Sequence, residues 1–228
     1  MNIPLKSFIS TREFIRAYCD SFRFKRSDQS REHIFIDCGS NLGQGAKWFS
    51  KFYKPAIFKY YFIEPNPQCF EVLKELIHTK QFEGRDHVII PKALSTTDGF
   101  IDLYGVTNLN NSKEPSLGCS INKDHNSGVD CKIIDQPISV PCISFGQLLR
   151  SLAENDPNAI IIVKMDIESA EYKVLESILK SGDAALIRYI YIEFHSQYMS
   201  DDKQKYYTIL EKKVMKDLSY YTNARLWH

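Results

Sequence analysis

Five short runs of Ile, Val, Phe and Tyr, at 34–37, 60–64, 88–91, 160–166 and 189–194, are apolar at nearly every position rather than at alternate ones. Strands that read this way are covered on both faces, the condition of a parallel sheet packed between helices. Helical periodicity separates them over 43–53, 67–80, 144–154 and 169–180, with a further segment over 201–217. Asn66-Pro67 offers a cap followed by proline at the first helical position. Ser144 and Gln147 stand at capping-box spacing before another helix. Strand–helix alternation gives right-handed crossovers, so the expected fold is α/β with a mostly parallel, doubly wound sheet.

Residues 95–142 break the rhythm. They are rich in Asn, Ser, Asp, Gly and Pro, with strand-like pieces only around 100–104, 131–134 and 138–142. The segment reads as a β-hairpin insertion between the third strand and its helix, and specificity usually resides in such loops. Near the N-terminus, residues 5–19 read as an amphipathic helix. Ser10 and Glu13 have capping-box spacing, and Phe14, Ile15 and Tyr18 form an apolar stripe. That helix is expected to serve as a lid or packing element. One domain therefore spans 1–228, with 1–31 as N-terminal helix and lead-in and 32–228 as the core carrying the 95–142 insertion.

A chain of 228 residues suffices for one well-buried core. Its net charge of +1 generates no long-range field to gather nucleic acid or anionic membrane. Arg23, Lys25, Arg26 and Arg31 cluster locally, but acids flank them, and they read as a solvated face. Arg12 and Arg16 interrupt the apolar character of the N-terminus before a signal or span develops. The cysteines (Cys19, Cys38, Cys69, Cys119, Cys131, Cys142) form no C-x-x-C pair, which fits a reduced, cytoplasmic protein. Cys119, His125, Cys131 and Cys142 share one stretch, but their spacing matches no usual zinc pattern.

The first chemical signal is Ile36-Asp37-Cys38-Gly39-Ser40-Asn41-Leu42-Gly43-Gln44-Gly45, a buried strand ending in an acid and a glycine-rich turn into a helix. Glycine lets the backbone turn sharply and approach a ligand. The spacing is G-x-x-x-G-x-G, not the G-x-G-x-x-G of dinucleotide sites. A pyrophosphate needs bare amides at a helix N-terminus. A sulfonium amino acid carries an ammonium and a positive sulfur, which suit a carboxylate such as Asp37. The second signal, Ile63-Glu64-Pro65-Asn66, puts an acid at the end of the next strand, where it can accept from both hydroxyls of an adenosine ribose. The third runs Lys164-Met165-Asp166-Ile167-Glu168-Ser169-Ala170-Glu171, and the fourth ends Ile192-Glu193-Phe194-His195. If these last two strands are neighbours, Asp166 and His195 face one cleft mouth, and deeper in, Lys164 and Glu193 are placed to form an ion pair.

The order and spacing of IDCGSNLG, FIEPNP, IPKALS, VKMDIESAEYKVL and YIEFH resemble the FkbM-type methyltransferases over roughly residues 33 to 197. The resemblance implies a Rossmann-like class I methyltransferase fold. It also implies O-methylation by S-adenosylmethionine of a hydroxyl on a sugar or glycan, for example a deoxyhexose such as rhamnose, or on another small molecule. By match to the motifs, Asp37, Gly39, Asn41 and Gly43 line the methionine end, Glu64 holds the ribose and Ala93 lies near the adenine. Ser40, Pro65, Asn66 and Asp166 complete the expected cofactor set. Ser169 departs from the family's usual glycine, and the chain stops where a final β-hairpin is usual.

Methyl transfer needs acceptor oxygen, methyl carbon and sulfur in line, and a place for the acceptor's proton. His195 is the first candidate base because its ordinary pKa lies near neutrality, with Asp166 second and Glu168 beside it. The rival is a magnesium ion on Asp166, Glu168 and Glu193, acidifying the hydroxyl. Two other classes are weighed. An RNA ribose methyltransferase usually has a lysine at the end of the fifth strand, where this chain has Glu193 and His195. A non-catalytic cofactor-binding module is the other, and the acids at both cofactor strands argue against it.

Overall fold

The computed structural model describes residues 11–22, 24, 30–106, 118–125 and 136–227. In chain order the strands are β1 (His33–Cys38), β2 (Lys59–Ile63), β3 (Val88–Ile90), β4 (Ala93–Ser95), β5 (Gly99–Leu103), β6 (Ile138–Ser144), β7 (Ile160–Met165), β8 (Ile187–Ile192) and β9 (Asn223–Leu226). The main sheet has the order β3-β2-β1-β7-β8-β9, and every neighbouring pair in it is parallel. The five apolar runs thus become its first five strands in space. The reversal of strand order falls between β1 and β7, the place where open α/β sheets bind ligands.

Side chains alternate between two apolar layers, as the pleat dictates. Ile34, Ile36, Val163, Met165, Ile190 and Ile192 face one layer. There they meet α4 (Phe145–Asn155), α5 (Glu171–Ser181) and α6 (Asp201–Leu218) through Leu149, Leu175 and Leu218. Phe35, Ile162, Tyr189 and Tyr191 face the other, against Ala46 and Phe49 of α2 (Gln44–Phe49) and Leu73 and Leu76 of α3 (Phe70–Ile77). This three-layer packing is the doubly wound arrangement. The caps sit where expected: Asn66 Oδ1 accepts from Gln68 N at 3.0 Å, and Ser144 Oγ accepts from Gln147 N at 3.4 Å.

Within the insertion, β5 and β6 pair antiparallel, as a hairpin does, and β4 adds a parallel strand on the other side of β6. At the C-terminal end a single strand, β9, runs parallel to β8. Helix α1 (Thr11–Ser21) differs from expectation. Phe14, Ile15 and Tyr18 are about half exposed, while Glu13, Ala17 and Asp20 turn inward. Asp20 decides this orientation, accepting from Tyr191 Oη at 3.2 Å and pairing with Arg225 Nε at 3.3 Å. Ser10, Arg23, Lys25, Arg26, the piece at 131–134 and Cys131 lie outside the described residues. No described helix is long and apolar enough to cross a membrane.

Candidate active site

The loop after β1 is built on left-handed backbone at Gly39 (φ 74°), Asn41 (φ 47°) and Gly43 (φ 78°). Glycine is required at the first of these, because a Cβ on Gly39 would stand 1.8 Å from the Asp166 carbonyl oxygen. The loop is thereby clamped between two others. Gly39 N and Ser40 N donate to Ile63 O at 3.0 and 3.1 Å, and Asp166 N donates to Cys38 O at 3.1 Å. Ser40 Oγ is spent on Asp37 O at 2.7 Å.

Glu64, at the C-terminal end of β2, is buried and doubly held. Its Oε2 accepts from Asn41 N and its Oε1 from Asn66 N, both at 2.8 Å. Burial pushes its carboxyl up to about 7 against the pull of those two amides. An ionised carboxylate offers about four acceptor sites, so each oxygen retains one beyond the amide it holds. Gly39, Asn41, Glu64, Pro65, Asn66 and Ala93 all line one narrow cleft, together with Asp166 and Glu168. Leu94, Leu103 and Ile121 add an apolar wall from the insertion side.

Asp37, Ser40 and Gly43 are placed elsewhere. Asp37 is fully buried under the loop, with Oδ1 3.2 Å from Lys164 Nζ and Oδ2 accepting from Ala46 N at 3.2 Å. Lys164 also stands 3.2 Å from Asp166 Oδ2 and donates to Gly39 O at 2.8 Å. Burial opposes its charge, but Asp166 and Asp37 outweigh burial and hold the ammonium above the ordinary lysine range. The expected pair of Lys164 with Glu193 is therefore replaced by a bridge from Asp37 to Asp166. Sheet register explains it, since Lys164 lies opposite Asp37 on β1. Glu193 is half-buried, and its carboxyl is raised to about 7 by burial and by the Asp166 charge.

β7 and β8 are neighbours as expected, but of the two residues expected at the cleft mouth Asp166 lines the cleft and His195 does not. His195 Nε2 lies 3.5 Å from Asp166 Oδ1 and 3.3 Å from Glu168 Oε2, while its Nδ1 lies 3.0 Å from Glu171 Oε1. Burial alone would lower the His195 pKa, but Glu171, Glu168 and Asp166 surround it with charge and raise it to about 10. Glu168 is held below the ordinary range, its burial outweighed by the adjacent His125 and His195 rings. The His195 side chain is 3% exposed and sits behind the two carboxylates that line the cleft.

Two residues given no role from sequence complete the cluster. Glu171, wholly buried in the first turn of α5, accepts from Ile167 N at 2.8 Å while it holds His195. His125, from the insertion, meets Ser169 Oγ with Nδ1 at 2.7 Å and faces Glu168 Oε2 with Nε2 at 3.2 Å. Ser120 Oγ donates to Glu168 O, and Asn122 Nδ2 to Ser169 O at 3.3 Å. The insertion is thus fastened to the loop after β7, where Glu168 (φ 53°) and Ser169 (φ 72°) are both left-handed. Nothing in local sequence marks His125 for this place, and Glu171 reads as an ordinary acid in a helix's first turn. Cys119, His125 and Cys142 form no metal group among the described residues.

Residues 37–220 match the family described as the methyltransferase FkbM domain. Among solved structures, a methyltransferase FkbM from Methylobacillus flagellatus KT is similar at 13% identity, with a TM-score of 0.43 over 85% of this chain. The present chain spans 41% of the length of that protein. No curated protein matches the sequence.

Proposed function

The chain belongs to the FkbM methyltransferase family, and we propose that it carries a methyl group from S-adenosylmethionine to a hydroxyl oxygen of a sugar, a glycan or another small molecule. The observation that carries this reading is the shared cleft. Glu64, with one acceptor site left on each oxygen, lines the same cleft as Asp166 and Glu168.

Two features of the chain fit a nucleoside-bearing sulfonium. The Glu64 carboxylate is placed to accept from both ribose hydroxyls, and Ala93, Leu94 and Leu103 offer an apolar wall for a purine. Carboxylates at the other end of the cleft favour a positively charged ligand group; Asp166 and Glu168 take that part, since Asp37 is committed to Lys164. S-adenosylmethionine, when bound, supplies a methyl group on a cationic sulfur, the carbon–sulfur bond breaking as the carbon–oxygen bond forms.

The chain's own task is then to hold the acceptor and receive its proton. Asp166 and Glu168 line the cleft and present carboxylate oxygens there, so we assign the proton to that edge. His195, sealed behind them and fixed by Glu171, acts through those two carboxylates by orienting them. Holding reactants in line supplies about 7–11 kcal/mol of barrier reduction in favourable cases.

Calorimetric titration with S-adenosylmethionine, followed by transfer of a labelled methyl group onto sugars, glycans, polyketides and RNA, tests the proposal. Binding of the cofactor and labelling of a hydroxylated small molecule are expected. Preferential binding of NAD, or labelling confined to RNA, would overturn it.

A further inference from the structure

We propose that Asp166, Glu168 and His195 form a binding site for one divalent metal ion at the mouth of the cleft. One ligand atom from each residue falls within 4.8 Å of the others. His195 Nε2 stands 3.5 Å from Asp166 Oδ1 and 3.3 Å from Glu168 Oε2. Ligands about 2.1–2.2 Å from a shared ion lie about 3.0 Å apart at right angles and about 3.5 Å apart at the tetrahedral angle. Both histidine–carboxylate spacings fall in that interval, and Asp166 and Glu168 offer ligand oxygens within 4.8 Å of each other.

The surroundings carry the inference beyond a group of neighbouring charges. A metal-bound histidine almost always gives its other ring nitrogen to a carboxylate or carbonyl, which fixes the tautomer and aims the ligating atom. Glu171 does this for His195 at 3.0 Å, is itself wholly buried, and is pinned by the Ile167 amide. Lys164 plays the matching part for Asp166, engaging Oδ2 at 3.2 Å and leaving Oδ1 toward His195. The His125 side chain is 2% exposed, and its Nε2 makes no hydrogen bond among the described residues while pointing at Glu168 Oε2 from 3.2 Å. A buried ring nitrogen is thus aimed into the cluster from the insertion, while Ser169 holds the other side of the ring.

Two carboxylate oxygens and one imidazole nitrogen suit a manganese- or zinc-like ion better than calcium or magnesium, which favour all-oxygen sets. Asp166 and Glu168 line the cleft, so the ion's free positions lie on the side assigned to the acceptor. Resting on the methyl-transfer reading, the ion would bind the acceptor oxygen and make its hydroxyl more acidic, and the Glu168 oxygen not bound to the ion would receive the proton.

The test is titration of Mn2+ into the full chain after treatment with chelator, following the free-ion paramagnetic signal. One ion per chain is expected. Glu168→Gln and Asp166→Asn should each weaken binding at least tenfold, and Glu171→Gln by about 10–100-fold, with partial recovery in Glu171→Asp. Thermal melts establish that each variant is folded. For any that is not, Mn2+ broadening of the His195 and His125 ring resonances in the wild-type chain, ahead of those of His78 and His87, replaces it. A wild-type chain that leaves millimolar Mn2+ free overturns the site, as does affinity unchanged in folded Glu168→Gln. S-adenosylmethionine binding without Mn2+ binding sinks the metal site alone, and Mn2+ binding without S-adenosylmethionine binding sinks the methyl-transfer reading alone.

Discussion

Lys164 Nζ lies 3.2 Å from Asp37 Oδ1, and both side chains are closed off from solvent. The pair joins β1 to β7 where the strand order reverses, and through Asp166 it extends to the mouth of the cleft. Removing one member of a buried pair leaves an uncompensated charge, which costs about 3–5 kcal/mol. Lys164→Met should therefore destabilise the chain by about that amount in chemical denaturation. Lys164→Met combined with Asp37→Asn should recover part of the loss. A loss below about 1 kcal/mol in the single variant would mean that the bridge is not a structural tie.

Glu64 links affinity to pH. Its folded carboxyl titrates near 7, against an ordinary value of 4.5. A raised carboxylate means the folded chain binds more protons than the unfolded one between those values. This group's contribution to stability is therefore greatest below 4.5 and declines as pH rises toward 7, by up to roughly 3 kcal/mol. Denaturation at pH 5 and pH 8 should show a smaller pH dependence in Glu64→Gln than in the wild-type chain. Ligand binding runs the other way, since ribose hydroxyls need the ionised form. S-adenosylmethionine affinity should rise with pH to about 7 and then level off, and Glu64→Gln should weaken it by about 1.5–3 kcal/mol. Unchanged affinity in the folded variant would remove Glu64 from the cofactor site.

The strands were legible because burial on both faces writes itself into sequence as continuous Ile, Val and Phe. Partnerships set by register or by distant segments were not. Lys164 meets Asp37 because β1 and β7 pair with those residues opposite each other, and no local pattern reports that register. Likewise α1 turns Asp20 inward to reach Arg225, a residue 205 positions away, so its apolar stripe gives the wrong buried face. The acids at the ends of β2 and β7 were legible as cleft residues, whereas Asp37 was not legible as a buried tie. His125 reaches the cluster from a segment with no periodicity at all.

Ser169 sits in left-handed backbone that favours glycine. At its φ of 72° a side chain costs about 1–2 kcal/mol. Against that, its hydroxyl meets His125 Nδ1 at 2.7 Å, and a hydrogen bond contributes about 0.5–1.5 kcal/mol. Ser169→Gly removes both effects and should change stability by less than about 1 kcal/mol. Ser169→Ala keeps the strain and loses the bond, so it should destabilise by about 1 kcal/mol. Thermal denaturation of the two variants separates them. Stability in Ser169→Ala equal to that of the wild-type chain would mean that the contact with His125 contributes nothing.

The last prediction concerns the acceptor. A cavity of about 400 Å³ lies between the insertion and α5, lined by Ser95, Thr97, Tyr104, Asn122, Lys123 and Lys173. It adjoins the cleft that Glu64 and Asp166 line, because Ile121 and Ala170 line both. Its wall of hydroxyls, an amide and two ammonium groups suits a polyhydroxylated ligand, which needs many hydrogen-bond partners. Tyr104→Ala and Lys173→Ala should each raise the KM for the acceptor about tenfold, the loss of one hydrogen bond worth about 1.4 kcal/mol. The dissociation constant for S-adenosylmethionine should stay within about twofold, since neither residue lines its cleft. Steady-state kinetics with the acceptor varied, set beside calorimetry for the cofactor, makes the comparison. Equal losses in both would show that the insertion supports the fold of the cofactor site and does not select the acceptor.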